Sequence, residues 1–242
     1  MPPKEVLIMA VTRMKAGVCT AGFINEPHLD SHLRWVRPVK SFRHLLLEDL
    51  RDNKGRIVEM GDVVALNLLK PTLENSREED WLADFIQTPV YVIRQLTEQK
   101  RADFLANHCD KNPAAILHQQ TRSLCLLQPN KLWVKFVGNF YTGSYEARLG
   151  FQLNSNSCAE VNEQHNLPVT DLKWRALGRH WLAQAGQQEL YLEHDALCQR
   201  LSADIVYLSI GLSMPFQGKP WPLIIGVHPV PDYTITIDYT QL

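Results

Sequence analysis

The chain has 242 residues, 45% of them hydrophobic, and a net charge of −1, so it can bury a core and is not a disordered tail. That length allows one large or two small domains. Its five cysteines, Cys19, Cys109, Cys125, Cys158 and Cys198, include no CxxC pair, which argues against a disulfide scaffold or a zinc ribbon and favours a reducing compartment.

Charge is unevenly spread: residues 1–43 carry a net +4, 44–96 −4, 97–150 +3 and 151–242 −4. Such blocks can place a basic groove on a neutral protein, which suits an anionic partner, although ordinary surface scatter gives the same pattern. In chain order, the apolar run Val6–Val11 is too short for a signal core or a membrane span and reads as a buried strand. The expected location is the cytoplasm. Lys4–Arg13, Gly17–Ile24 and Leu33–Val39 read as strands, with a turn at Asn25-Glu26-Pro27. Ser41–Arg51 suits a short helix, Arg56–Met60 and Val63–Leu69 a hairpin about Gly61-Asp62, and Thr88–Ile93 a further strand. The acidic run Glu78-Glu79-Asp80 before Trp81 reads as a solvated loop.

Thr97 reads as the cap of a helix reaching about His108, broken by Asn112-Pro113. Strands follow at Arg122–Gln128, Leu132–Val137 and Tyr145–Leu153, then a polar loop over Asn154–Asn166. Thr170 is placed to cap a helix in which Trp174, Leu177 and Trp181 share one face and Asp171, Arg175 and Arg179 another. Gln188–Leu201 suits a second helix, and Ile205–Leu212, Leu223–Val230 and Tyr233–Tyr239 strands. Short strands without long crossover helices suit small closed barrels better than βαβ units.

The chain contains no GxGxxG after a strand, GxxxxGK[ST], HExxH or GxSxG. His28 and His32 stand four apart, but Pro27 makes a continuous helix there doubtful, and no metal or cofactor is expected. The expectation is a protein without catalytic residues. A hydrolase whose carboxylates assemble only in space is the competing thought.

What remains is arginine beside aromatic side chains. Trp35 and Arg37 share one side of a strand, where an indole and a guanidinium can stack a base and hold a phosphate; a core tryptophan with an arginine along its rim is the plainer reading. Arg13 ends the first strand and is expected to face the same groove. Trp174-Arg175 repeats the pairing on a helix, with core packing favoured for Trp174 and Asp171 expected to neutralise Arg175, which leaves Arg179 more available. His228, held extended before Pro229, can donate to a ligand or to backbone.

Val11-Thr12-Arg13-Met14 with Gly17 and Cys19, Trp35-Val36-Arg37-Pro38 and Gly61-Asp62-Val63-Val64 come in that order along the chain. Leu167-Pro168-Val169-Thr170-Asp171-Leu172 with Trp174-Arg175, Ile210-Gly211-Leu212 with Pro215-Phe216, and Gly226-Val227-His228-Pro229 follow. In this series the chain resembles the dual-OB-fold (DuOB) family over nearly its whole length. The resemblance implies two tandem OB-like barrels from a prokaryotic conflict or defence system that recognise nucleic acid or a nucleotide, with no catalytic residues to transfer.

The fold expected is therefore mainly β with inserted helices: a first OB-like barrel over 1–96, a helical linker over 97–115 and a second barrel over 116–242. The function expected is recognition of single-stranded or structured nucleic acid, or of a nucleotide, through Arg13, Trp35, Arg37, Arg175, Arg179 and His228. The alternatives are a scaffold that binds a protein partner of a defence system through its acidic blocks, and a PUA-like reader of RNA or a modified base.

Overall fold

The computed structural model, which describes all residues except 1, 30–32, 73–76, 118, 121, 140, 154–162, 216 and 242, is built mainly of β-strands. It divides into two units, Met1–Arg101 and Ala102–Leu242. The first opens with the three strands that the apolar runs predict, β1 (Lys4–Met14), β2 (Gly17–Asn25) and β3 (Leu33–Val39), paired as an antiparallel meander. Where a helix was expected over Ser41–Arg51, only Leu47–Leu50 forms a 3-10 turn. The reason lies in β2: the Val18 amide donates to the Leu45 carbonyl at 2.8 Å, which holds that stretch extended.

Strands β4 (Asp62–Leu66) and β5 (Leu68–Pro71) are separated by Asn67 alone, and the two halves face different partners. β4 pairs antiparallel with β1, whereas β5 pairs with β6 (Asp80–Ala83), which runs parallel to β3. The circuit β1-β2-β3-β6-β5/β4-β1 therefore closes, and β7 (Tyr91–Gln95) extends it beside β4. A three-strand meander, a parallel contact between third and last strands and a fourth strand shared by first and last make an OB-type barrel. Val6 stands opposite Ile24 and Val64, and all three are fully buried. Gly61 does lie in a turn, closed by the Asp62 amide on the Glu59 carbonyl at 3.2 Å, but 56–60 forms no strand, so the turn leads into β4 without making a hairpin. The acidic run is solvated only at Glu78: Glu79, just before β6, and Asp80, its first residue, are buried, and Asp80 lies beside Arg37.

Helices α1 (Glu98–Asn107) and α2 (Ala114–Leu117) lead into strands β8 (Leu124–Leu127), β9 (Lys131–Gly138), β10 (Tyr145–Gln152) and β11 (Glu163–Pro168). Then come α3 (Leu172–Ala185), β12 (Glu189–Glu193), α4 (His194–Leu201), β13 (Ile205–Leu212) and β14 (Pro222–Val230). The topology of the first unit recurs. β9, β10 and β11 form the meander, β12 pairs with β9, and β11 passes at Val169 into a parallel bridge with Ile224 of β14. β13 pairs with β14 and with β8, so the fourth strand is again shared, here interrupted by α4.

Four expectations change in this unit, the last at the cap of α3. Gln188–Leu201 is half strand, because Leu190 and Leu192 alternate onto Phe136 and Val134 and a period of two outweighs the helical spacing. The polar stretch 154–166 ends in β11, its residues 154–162 lying outside those described. Residues 233–238 join no sheet and Tyr239 opens a 3-10 turn; beside α3, Tyr233 meets Trp174 at 6.1 Å and Lys173 at 4.5 Å.

Helix α3 seals the second core. Trp174 and Trp181 are buried against Phe136, with ring centroids 5.9 Å from it in both cases. Its cap is Asp171 rather than Thr170: one carboxylate oxygen accepts from the Trp174 amide at 3.1 Å and the other from the Val227 amide of β14 at 2.8 Å. Gly178 lets this helix approach closely, since a Cβ there would come within 2.2 Å of the Phe136 ring and 2.3 Å of the Tyr145 hydroxyl. Gly178→Ala should therefore destabilise the protein by about 1–3 kcal/mol in denaturant unfolding, against the usual helical gain from alanine.

Burial pushes the Asp171 carboxyl up to about 7, against the lowering effect of backbone amides, those of Val227 and Trp174 foremost, and of the Lys173 charge. The unfolded chain releases this proton near the ordinary 3.8, so between there and about 7 the folded state holds the extra proton. This contribution to stability is complete below pH 4 and is lost as pH rises through about 7. Thermal midpoints of Asp171→Asn, measured across that window, should lack this downward slope; a slope equal to that of wild type would show that Asp171 does not cause it.

Candidate functional site

In the first barrel the sequence-predicted residues do not share a groove. Trp35 and Arg37 do lie on one side of β3, but both are buried. The Trp35 ring lies against Phe23 with centroids 4.0 Å apart, and Arg37 pairs with Asp80 at 2.9 Å. Arg13 is exposed and stands opposite Val18, whereas Trp35 stands opposite Phe23, five residues further along β2 or about 16 Å away. The Trp35–Arg37 pair thus follows the plainer of its two readings, a core tryptophan with an arginine beside it.

Helix α3 does bring Arg175 and Arg179 together. Both guanidinium groups lie over the Tyr145 ring, at 4.8 Å and 4.3 Å from its centroid. Arg175 donates to the carbonyls of Val169 and Tyr145, each at 3.3 Å, and is not the partner of Asp171. Arg179 donates from its two terminal nitrogens to the side-chain and main-chain oxygens of Gln241, both at 3.0 Å. These residues line a cleft of about 730 Å³ whose other walls are the β9–β10 loop and the segment 235–238 with Gln241. His228 is buried on β14 and its Nε2 lies 2.9 Å from the side-chain hydroxyl of Ser209, where a backbone partner was expected.

A second surface was not among the expected residues. β9 alternates strictly: Leu132, Val134 and Phe136 enter the core, while Lys131, Trp133, Lys135 and Val137 face outward. Arg148 stands opposite Lys135, Tyr191 opposite Lys135 on the other side, and Gly150 opposite Trp133. The indole occupies the space over Gly150, where a Cβ would meet its Nε1 at 2.1 Å, and reaches His165 of β11 with centroids 5.3 Å apart. Lys135 pairs with Glu189 at 2.8 Å and Arg148 with Glu146 at 3.3 Å, both in exposed or half-exposed positions. Such surface pairs contribute at most about 1 kcal/mol, so an incoming anion can exchange them cheaply.

The sequence of residues 4–227 matches the dual OB-containing domain. The chain belongs to that family. No curated protein and no solved structure matches it. OB-fold barrels in general bind oligonucleotides on the face of their second and third strands; the strands in those positions of the second unit are β10 and β11, flanked by β9. The alternation of Lys131–Gly138 was visible in the sequence and could have identified Trp133 and Lys135; the cleft could not have been found that way, because its walls come from separate segments. Among the described residues, no group of three or more His, Cys, Asp or Glu is placed to hold a metal, and His32 lies outside them. No helix among them is long and apolar enough to cross a membrane.

Burial raises the Asp80 carboxyl, and the charge of Arg37 works against that shift. Arg37→Ala would take from this buried acid its ion-pair partner, leaving only the weaker influence of the Arg77 charge, and should cost about 3–5 kcal/mol in equilibrium unfolding. A variant as stable as wild type would return Arg37 to the list of binding residues.

Proposed function

We propose that this dual OB protein is a non-catalytic reader of single-stranded or structured nucleic acid, in the defence setting that its family resemblance implies, and that the outer face of β9, β10, β11 and β12 is its interface. The observation that carries this reading is Trp133, an indole seated over Gly150 with Lys131, Lys135, Arg148, His165 and Tyr191 around it and the exposed Glu193 of β12 directly opposite. Aromatic platforms beside cations are how barrels of this kind hold unpaired bases and track a backbone. Glu146 and Glu189 hold Arg148 and Lys135 in place until phosphates replace them, so binding should weaken steeply with salt.

Fluorescence anisotropy with labelled single-stranded DNA and RNA at two salt concentrations tests the reading. Trp133→Ala should weaken binding by about 1–3 kcal/mol. Lys135→Ala should lower the salt slope by about one phosphate contact. Equal affinity of wild type and Trp133→Ala, or no binding by wild type at low salt, would transfer the role to a protein-binding scaffold.

A further inference from the structure

The cleft beside α3 has chemistry of its own. Arg175 and Arg179 stand one helical turn apart on α3 and both line it, and Asp238 is the one carboxylate among the lining residues. Hydrogen bonds from Thr240 hold Asp238 below the usual carboxylate range, so it is ionised at neutral pH and the lining keeps a net positive charge. Arg175 is fixed by two carbonyls and by the Tyr145 ring, so its charge stays at the cleft wall.

Arg179 is held differently. Its two terminal nitrogens each take an oxygen of the same residue, Gln241, at 3.0 Å. Two parallel N–H donors facing two oxygens is the arrangement by which arginine grips a carboxylate or a phosphate, and charged oxygens make bonds about twice as strong as neutral ones. Gln241 thus occupies the place of an anion. The volume, about 730 Å³, is far larger than an inorganic phosphate needs and lies within the usual range for small organic ligands. Leu172, Leu182, Ile235 and Ile237 give the cleft an apolar wall for the rest of such a molecule.

We propose that this cleft binds a phosphate monoester of mononucleotide size, with phosphoryl oxygens replacing those of Gln241 on Arg179. A phosphate monoester carries about −1.5 to −2 charges at neutral pH, which matches two guanidinium groups better than one carboxylate does. The phosphate can belong to a free nucleotide or to the 5′ end of a strand. This site is separate from the sheet face carrying Trp133.

Thermal shift and calorimetry on the full chain decide the matter, with uridine and adenosine monophosphates, the corresponding nucleosides, inorganic phosphate and a 5′-phosphorylated oligonucleotide as probes. The monophosphates should raise the thermal midpoint and the nucleosides should not. Arg179→Gln should weaken monophosphate binding at least tenfold. Thr236→Glu should do the same by adding a negative charge at an exposed lining position that disturbs no core contact. Gln241→Ala should tighten binding at least threefold by removing a competing oxygen. Competition by the 5′-phosphorylated oligonucleotide, but not by its 5′-hydroxyl counterpart, would identify a strand end as the source, and its absence a free nucleotide. No shift with monophosphates, an equal shift with nucleosides, unchanged affinity in Arg179→Gln or Thr236→Glu, or weaker binding by Gln241→Ala would overturn the proposal. Trp133→Ala should leave the monophosphate shift intact, so the cleft and the sheet face can fail independently.

Discussion

Both barrels depend on one constraint: a small sheet closes on itself only if its fourth strand pairs with the first strand at one end and the last at the other. A straight strand of ordinary length cannot do both. In the first unit the change of partner occurs at Asn67, between β4 and β5. In the second the whole of α4 is inserted between β12 and β13. Closure then determines what is buried. It brings β6 alongside β3 and so places Asp80 next to Arg37, and it brings β14 alongside the end of β11 and so places the Val227 amide within reach of Asp171.

Arg37 in the first barrel and Arg148 and Arg179 in the second are used in opposite ways. In the first, Arg37 is spent on an interior carboxylate, and the strand face that carries it is closed. In the second, carboxylates and cations remain on the outer side of β9 and β10, where water competes for them, and α3 presents Arg179 at the rim of a cleft. An ion pair in the interior serves architecture because neither member can be exchanged without cost. One at the surface is open to replacement by a stronger anion. The same residue types are thus locked into the interior at Arg37 and left exchangeable at Lys135 and Arg148, and burial makes the difference.

Much of the fold was legible in the sequence. The apolar runs of β1 to β3 mark their own strands, and Trp174, Leu177 and Trp181 mark the buried face of α3. The family was legible in the order of short motifs spread over both units. The short strands β6, β11 and β12 were not, because pairing with distant partners rather than their own composition makes them strands. The sites were legible only in part. Arg175 and Arg179 come together because helical spacing is local, whereas the fate of Arg37 depends on Asp80, which closure alone brings near. Asp171 was read as a partner for Arg175 on spacing; its oxygens instead go to backbone amides, one of them from β14, which no helical period could reveal.

The absence of a side chain at position 150 reaches beyond this one molecule. Trp133 and Gly150 fill a single volume on the sheet, the indole of one occupying what would be the Cβ of the other. Neither position can drift alone: a side chain at 150 lifts the ring, and a smaller residue at 133 leaves bare backbone exposed. Among descendants of this sequence the two should therefore be inherited together or lost together. A lineage that fills position 150 has given up the aromatic platform, whatever else of the barrel it keeps.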